Sequence, residues 1–162
     1  MTPGTIYTLR LDQEALDEYL TLYFKEYPRR RKKPIDKPFV PSLNKYLVMN
    51  KDARNELKQH WQDFVYVAAK RQGLLGLKID YCKVTLTYVF GDLRKSDVDN
   101  RVPKMIFDAL TFCETWVDDN RFVIPSVHLL SAYEKGNPHI ILDIEVLEKP
   151  KQEVVKSKKK KK

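Results

Sequence analysis

The chain has 162 residues, 43% of them apolar and 32% charged, with 30 Lys+Arg against 22 Asp+Glu and a formal charge of +8. That content supports one folded core, excludes wholesale disorder, and fits one ordinary domain with extensions. No apolar run approaches the ~18 residues of a membrane span, Met1-Thr2-Pro3-Gly4 lacks a secretory opening, and the lone cysteines Cys82 and Cys113 form neither a disulfide framework nor a paired metal motif. A soluble protein of a reducing compartment is expected, with a basic excess suited to polyanions.

In chain order, Thr5 to Leu11 alternates apolar and polar residues and predicts a strand. Asp12 to Phe24 places Ala15, Leu16, Tyr19, Leu20 and Tyr23 on one helical face, with acids in the first turns where the helix dipole favours them. Residues 25–50 form a long connection punctuated by proline, of a length that is often functional. Asn50 suits the cap of a helix over Lys51 to Arg71, closed by Gly73. Ala53, Leu57, Trp61, Phe64 and Ala68 make its core stripe, and Lys51, Arg54, Asn55, Lys58 and Gln62 lie together on another side, as a solvated face or one turned to phosphates.

Tyr81 to Phe90 is a strand rich in β-branched and aromatic residues. A helix is predicted from about Asn100 to Phe112, with Val102, Met105, Ile106, Ala109 and Leu110 at core spacing and Pro103 tolerated in the first turn. Ser126 to Tyr133 is a further strand, Glu134 to Pro138 a turn, and His139 to Leu147 the returning last strand. Hairpin and strand–helix–strand units together predict an α+β fold: one domain over 1–148 with a mixed sheet packed by helices.

The charge is uneven. Residues 149–162 hold eight lysines and one acid, for +7, so the preceding 148 residues carry 22 bases and 21 acids, for +1. A like-charge run buries nothing and repels itself, so 149–162 is predicted to be a disordered lysine-rich tail, either a phosphate tether or a solubilising end. A second basic run, Arg29, Arg30, Arg31, Lys32 and Lys33, lies between Pro28 and Pro34 and predicts an exposed loop suited to phosphates.

Residues 92–119 run against this trend, with seven acids and four bases. Acids repel phosphates, and a divalent metal gives a nucleic-acid binder reason to keep them: Mg²⁺ takes carboxylate, water and phosphate oxygens. Asp97 and Asp99 would project to one side if the chain beyond the strand stays extended. The helix is ~20 Å long, and six extended residues span about as much, which allows Asp118 and Asp119 to return to the first pair. Carboxylates converging on metal serve phosphodiester hydrolysis. The same residues also suit simpler roles: Asp99 or Asn100 as a helix cap, and Asp118-Asp119-Asn120 as a turn. Lys104 either approaches a scissile phosphate or pairs with Asp108 at i,i+4. His60, His128 and His139 have no ligand spacing, and no Ser-His-Asp order, phosphate-binding glycine loop or zinc pattern is present.

Ser96-Asp97-Val98-Asp99-Asn100, Phe107-Asp108-Ala109-Leu110-Thr111 and Trp116-Val117-Asp118-Asp119 together resemble the Asp-x-Asp-Asn … Asp-Ala-Leu … Trp-x-Asp-Asp core of the RusA family of Holliday junction resolvases. Pro41-Ser42-Leu43-Asn44-Lys45-Tyr46 is similar to the family's Pro-Ser-x-Asn-basic-Tyr element. The resemblance covers about 38–147, and its specificity lies in the order of the motifs.

It implies a RusA-like homodimer that nicks four-way DNA junctions symmetrically in recombination and repair, in the cytoplasm of a bacterium or encoded by a phage or other mobile element. Mg²⁺, or Mn²⁺ in its place, would be held by Asp97, Asp99 and Asp119 with Asp118 beside them. Lys104 would correspond to the family's helix lysine, displaced by one residue; Arg101 is the other base near that position. DNA contact falls to Arg29, Arg30, Arg31, Lys32, Lys33, Asn44, Lys45, Lys51, Arg54, Lys58 and Arg101. Residues 12–37 have no counterpart and read as an insertion carrying the basic loop. The competing readings are a catalytically impaired nucleic-acid-binding protein on the same fold and another Asp-x-Asp metal enzyme such as a nucleotidyltransferase.

Overall fold

The computed structural model describes residues 1–97 and 99–150. Of the predicted tail only Lys149 and Pro150 fall among them, and Lys149 Nζ contacts Asp80 at 2.7 Å. The remainder of that prediction, 151–162, lies outside the described residues.

Strand β1 (Ile6–Leu11) leads into helix α1 (Gln13–Glu26), whose first turn is closed by the Asp12 carboxylate accepting from the Ala15 N–H at 3.0 Å. Ala15, Leu16, Tyr19 and Leu20 are buried, so this part of 12–37 supplies core rather than an appendage. The long connection contains a short helix, α2 (Leu43–Leu47), capped by Ser42 Oγ on the Lys45 N–H. Helix α3 (Lys51–Arg71) starts at Asn50, whose Oδ1 accepts from the Ala53 N–H at 2.8 Å, and buries Trp61, Phe64, Val65, Ala68 and Ala69. Strands β2 (Cys82–Phe90), β3 (Ser126–Tyr133) and β4 (His139–Val146) complete one four-stranded mixed sheet, with helix α4 (Lys104–Phe112) between β2 and β3. The fold is α+β, as the element order predicted.

The sheet order is β1-β4-β2-β3, with β2 and β3 parallel and β4 antiparallel to both β2 and β1. The predicted hairpin between the last two strands is therefore absent. Residues 134–138 carry the chain across the end of β2 to its far side, held there by Glu134 N–H to Phe90 O (2.9 Å) and Gly136 N–H to Gly91 O (2.8 Å). The crossing is possible because residue 91 is glycine: a Cβ there would meet Pro138 Cδ at 2.8 Å.

Alternation along the strands builds the core. Leu9 and Leu11, Cys82, Val84, Leu86 and Tyr88, and Ile140, Leu142, Ile144 and Val146 are buried, as expected for strands with one face against helices. Lys83, Thr85 and Thr87 on the opposite face stay half-exposed.

Helix α4 begins four residues later than predicted. Its N-cap is Pro103, with no side-chain capping bond, so the cap role open to Asp99 or Asn100 is not realised. Proline disfavours helical backbone at the residue before it, here Val102. No helix among the described residues is long and apolar enough to cross a membrane.

Candidate active site

The acidic segment starts where β2 ends. Asp92 accepts from the Arg94 backbone N–H (3.0 Å) and from its guanidinium (2.9 and 2.6 Å), which holds the carboxyl below its usual range. Beyond it, the Asn100 N–H donates to the Asp97 carbonyl at 3.1 Å. That is an i to i+3 turn, so the extended course assumed for Asp97 and Asp99 is not followed. Both carboxylates are exposed.

Arg101 anchors the turn. Its guanidinium lies 4.9 Å from the Phe39 ring centroid and 5.2 Å from that of Phe90, and donates to Ser96 Oγ (3.2 Å) and, longer, to the Val40 carbonyl (3.4 Å). Burial pulls its pKa down, and its Nε, like the Tyr88 hydroxyl, is buried without a partner among the described residues. Arg101, expected as a DNA contact, sets its guanidinium against aromatic faces and the two segments that frame the acids.

Asn100 serves a different helix from the one its sequence position suggests. The first N–H groups of a helix have no intrahelical acceptor. Asn100 faces those of α2, with Leu43 N–H to Asn100 O and Asn44 N–H to Asn100 Oδ1, each 3.4 Å and long for a hydrogen bond. Two motif segments 56 residues apart thus meet.

The third and fourth segments meet through Lys104. Its ammonium contacts Asp108 at 2.7 Å and Asp119 at 3.6 Å, and its pKa is raised, first by the Asp108 hydrogen bond. The turn carrying Asp119 is fixed from behind: Trp116 Nε1 donates to Thr111 Oγ1 (2.8 Å), its ring packs edge-on to Phe107 (5.4 Å), and the Val117 N–H donates to the Ile79 carbonyl (3.0 Å). Asp118 is occupied locally, accepting from the Asp119 N–H and the Asn120 side-chain amide. The turn role and the Lys104–Asp108 pair are both present. Beside them Lys58, Asn55 and Gln62 of α3 face Asp108 across a cleft of about 150 Å³.

The four acids do not form one cluster: among the described residues no group of three or more His, Cys, Asp or Glu side chains stands at metal-binding spacing. The donors themselves are carboxylate oxygens, the chemistry Mg²⁺ requires, and the side chain of Asp119 keeps 27% of its surface exposed. In donor type the residues fit that ion.

Next to the Asp97 turn opens a groove of about 800 Å³ between the 32–49 connection, the end of β2 and the 136–138 crossing. Its basic lining residues are Lys32, Lys33, Lys37, Lys45, Arg94, Lys95 and Arg101, against only Asp36 and Asp92. Lys37 was missed in the sequence because it stands alone, and Arg94-Lys95 because the pair lies within a segment whose net charge is acidic. Arg29, Arg30 and Arg31 remain on the exposed loop, and Asn44 and Lys51 are exposed at the ends of α2 and α3. The Arg54 guanidinium lies 5.9 Å from the centroid of the Tyr46 ring. Compared with models of known families and with curated proteins, the sequence finds no match.

Proposed function

We propose that this chain is a RusA-type, Mg²⁺-dependent endonuclease that acts as a homodimer and resolves four-way DNA junctions by paired nicks. The observation that carries the reading is the meeting of the motif segments in pairs: Asn44 with Asn100, and Lys104 of the motif helix with Asp119. These contacts bring segments spread over 41–119 together in pairs, which supports a shared site.

In this reading Asp97, Asp99 and Asp119 hold Mg²⁺, with Asp118 beside them. The ion, when bound, activates water and steadies the leaving oxygen. Lys104, kept cationic by Asp108, offsets phosphate charge next to Asp119. Arg101 is a positioning residue that fixes the Asp97 turn against Phe39 and Phe90. The lysine-lined groove receives the strand leading to the acids, through contacts that weaken steeply with salt.

The second reading, a junction-binding protein without catalysis, is favoured by one observation, the separation of the acids. Purified protein is incubated with a synthetic four-way junction, with Mg²⁺ or with chelator, alongside Asp97→Asn and Asp119→Asn. Paired nicks that require Mg²⁺ and are lost in both variants are expected. Binding without nicking selects the second reading, and full cleavage by both variants removes the site. A nucleotide-transfer product points to the nucleotidyltransferase alternative.

A further inference from the structure

The two edges of the sheet are finished differently. On β1 the Gln72 side chain takes the place of a neighbouring strand: the Arg10 N–H donates to Gln72 Oε1 (2.7 Å), and Gln72 Nε2 donates to the Arg10 carbonyl (2.9 Å). On β3, at the other edge, no strand among the described residues pairs with the outer side. Soluble proteins blunt such an edge with lysine, proline or a bulge. Ser126–Tyr133 has no charged residue and no proline, and its register with β2 is unbroken over all eight residues.

This edge is open and carries exposed apolar side chains on both faces, with Ser126 and His128, 3.1 Å apart, on the face of Leu130. Val127 and Leu129, aligned with the fully buried Val84 and Leu86 of β2, are 43% and 36% exposed; Leu130 on the opposite face is 50% exposed. Tyr133 continues the Val127 face and is 48% exposed.

We propose that β3 is the surface by which two copies of this chain associate, the two strands pairing antiparallel about a two-fold axis to join both sheets into one of eight strands. The proposal rests on the dimeric reading above and names its interface. A two-fold axis normal to the sheet preserves its faces, so residues opposite one another have numbers with an even sum. Centred on Leu130, the pairing sets Val127 opposite Tyr133, a β-branched–aromatic pair of the kind that stabilises sheets, and Leu130 opposite itself. A strand with no Asp, Glu, Lys or Arg and with exposed apolar side chains on each face is matched by its own copy, as an isologous contact requires. The near-neutral body, +1 over residues 1–148, adds little repulsion.

Light scattering on the full chain at micromolar concentration is expected to give twice the 19.1 kDa chain mass. Leu130→Lys, on a half-exposed position, should halve that mass with an unchanged circular dichroism spectrum. Leu130→Cys should cross-link under mild oxidation, since facing Cα atoms about 4.5–5.5 Å apart lie within disulfide reach and Cys82 and Cys113 are buried. Cross-linking at Leu129→Cys instead keeps the interface and moves the axis by one residue. A monomeric wild type overturns the proposal, including one that dimerises only after removal of 151–162. So does a dimer that survives Leu130→Lys, or one that cross-links at neither position. Nicking is read separately: a monomer that nicks junctions overturns the interface alone, and a dimer that never nicks overturns the nuclease reading alone.

Discussion

The guanidinium of Arg101 lies 4.9 Å from the ring centroid of Phe39, which ties the residue after the Asp97–Asn100 turn to a core side chain. Arg101→Ala should lower stability by about 1–2 kcal/mol, the scale of a partly desolvated cation–π contact, measured by urea unfolding. Amide exchange over 92–97 should accelerate while β4 stays protected. Arg101→Lys should not restore either, because a lysine lacks the planar group that spans Phe39, Phe90 and Ser96.

On the nuclease reading, Lys104 serves chemistry more than stability. Its i,i+4 pair with Asp108 is exposed, and such pairs contribute about 0.2–0.5 kcal/mol, so Lys104→Ala should leave the urea midpoint nearly unchanged. Its raised pKa means the pairing is fully present below the free lysine value of 10.5 and is lost as pH climbs through the folded value. Junction nicking by Lys104→Ala should fall at least tenfold at saturating Mg²⁺, read by single-turnover cleavage.

Gly91 is fixed by the close approach of Pro138. Gly91→Ala places a methyl 2.8 Å from Pro138 Cδ and 3.2 Å from its backbone nitrogen. Overpacking of this kind costs about 1–3 kcal/mol, so the variant should lose that much in urea unfolding, with β4 amides exchanging faster than those of α3.

Both cysteines are buried, which pushes their thiol pKa from 9.0 up to about 11. Burial likewise raises the Tyr19 and Tyr88 hydroxyls. These groups ionise more readily unfolded than folded, so stability should be level below pH 9 and fall as pH rises toward 11. Urea midpoints at pH 8, 9 and 10.5 check this, and native protein at pH 8 should resist thiol alkylation until urea is added.

Where a local signal was strong, sequence and structure agree closely: α3 runs over Lys51–Arg71, capped by Asn50, as its cap and stripe predict, and β2 and β3 fall within a residue of their apolar runs. Pairing between distant segments was not legible. Glu134–Pro138 has hairpin composition, and the missing Cβ of Gly91 leaves room for Pro138 where the chain crosses β2. At the candidate site the Lys104–Asp108 spacing could be read directly, whereas the Asp119 contact depends on Trp116 docking to Thr111, and the role of Asn100 depends on α2 arriving beside it. The grouping of the acids as a metal site came from motif order; spacing alone did not foresee the turn at Asp97.

The sheet order also sets a timetable for the growing chain. Among the described residues strand β1 has β4 as its one strand partner, and the ends clasp through Gly4 N–H to Val146 O and Val146 N–H to Thr5 O. At ~5–20 residues per second, the ribosome takes roughly 7–27 s to go from residue 11 to residue 146. Throughout that interval the first strand has no mate and β2 lacks its inner neighbour. A chain interrupted before residue 139 can still pair β2 with β3, but it lacks the strand that joins β1 to them.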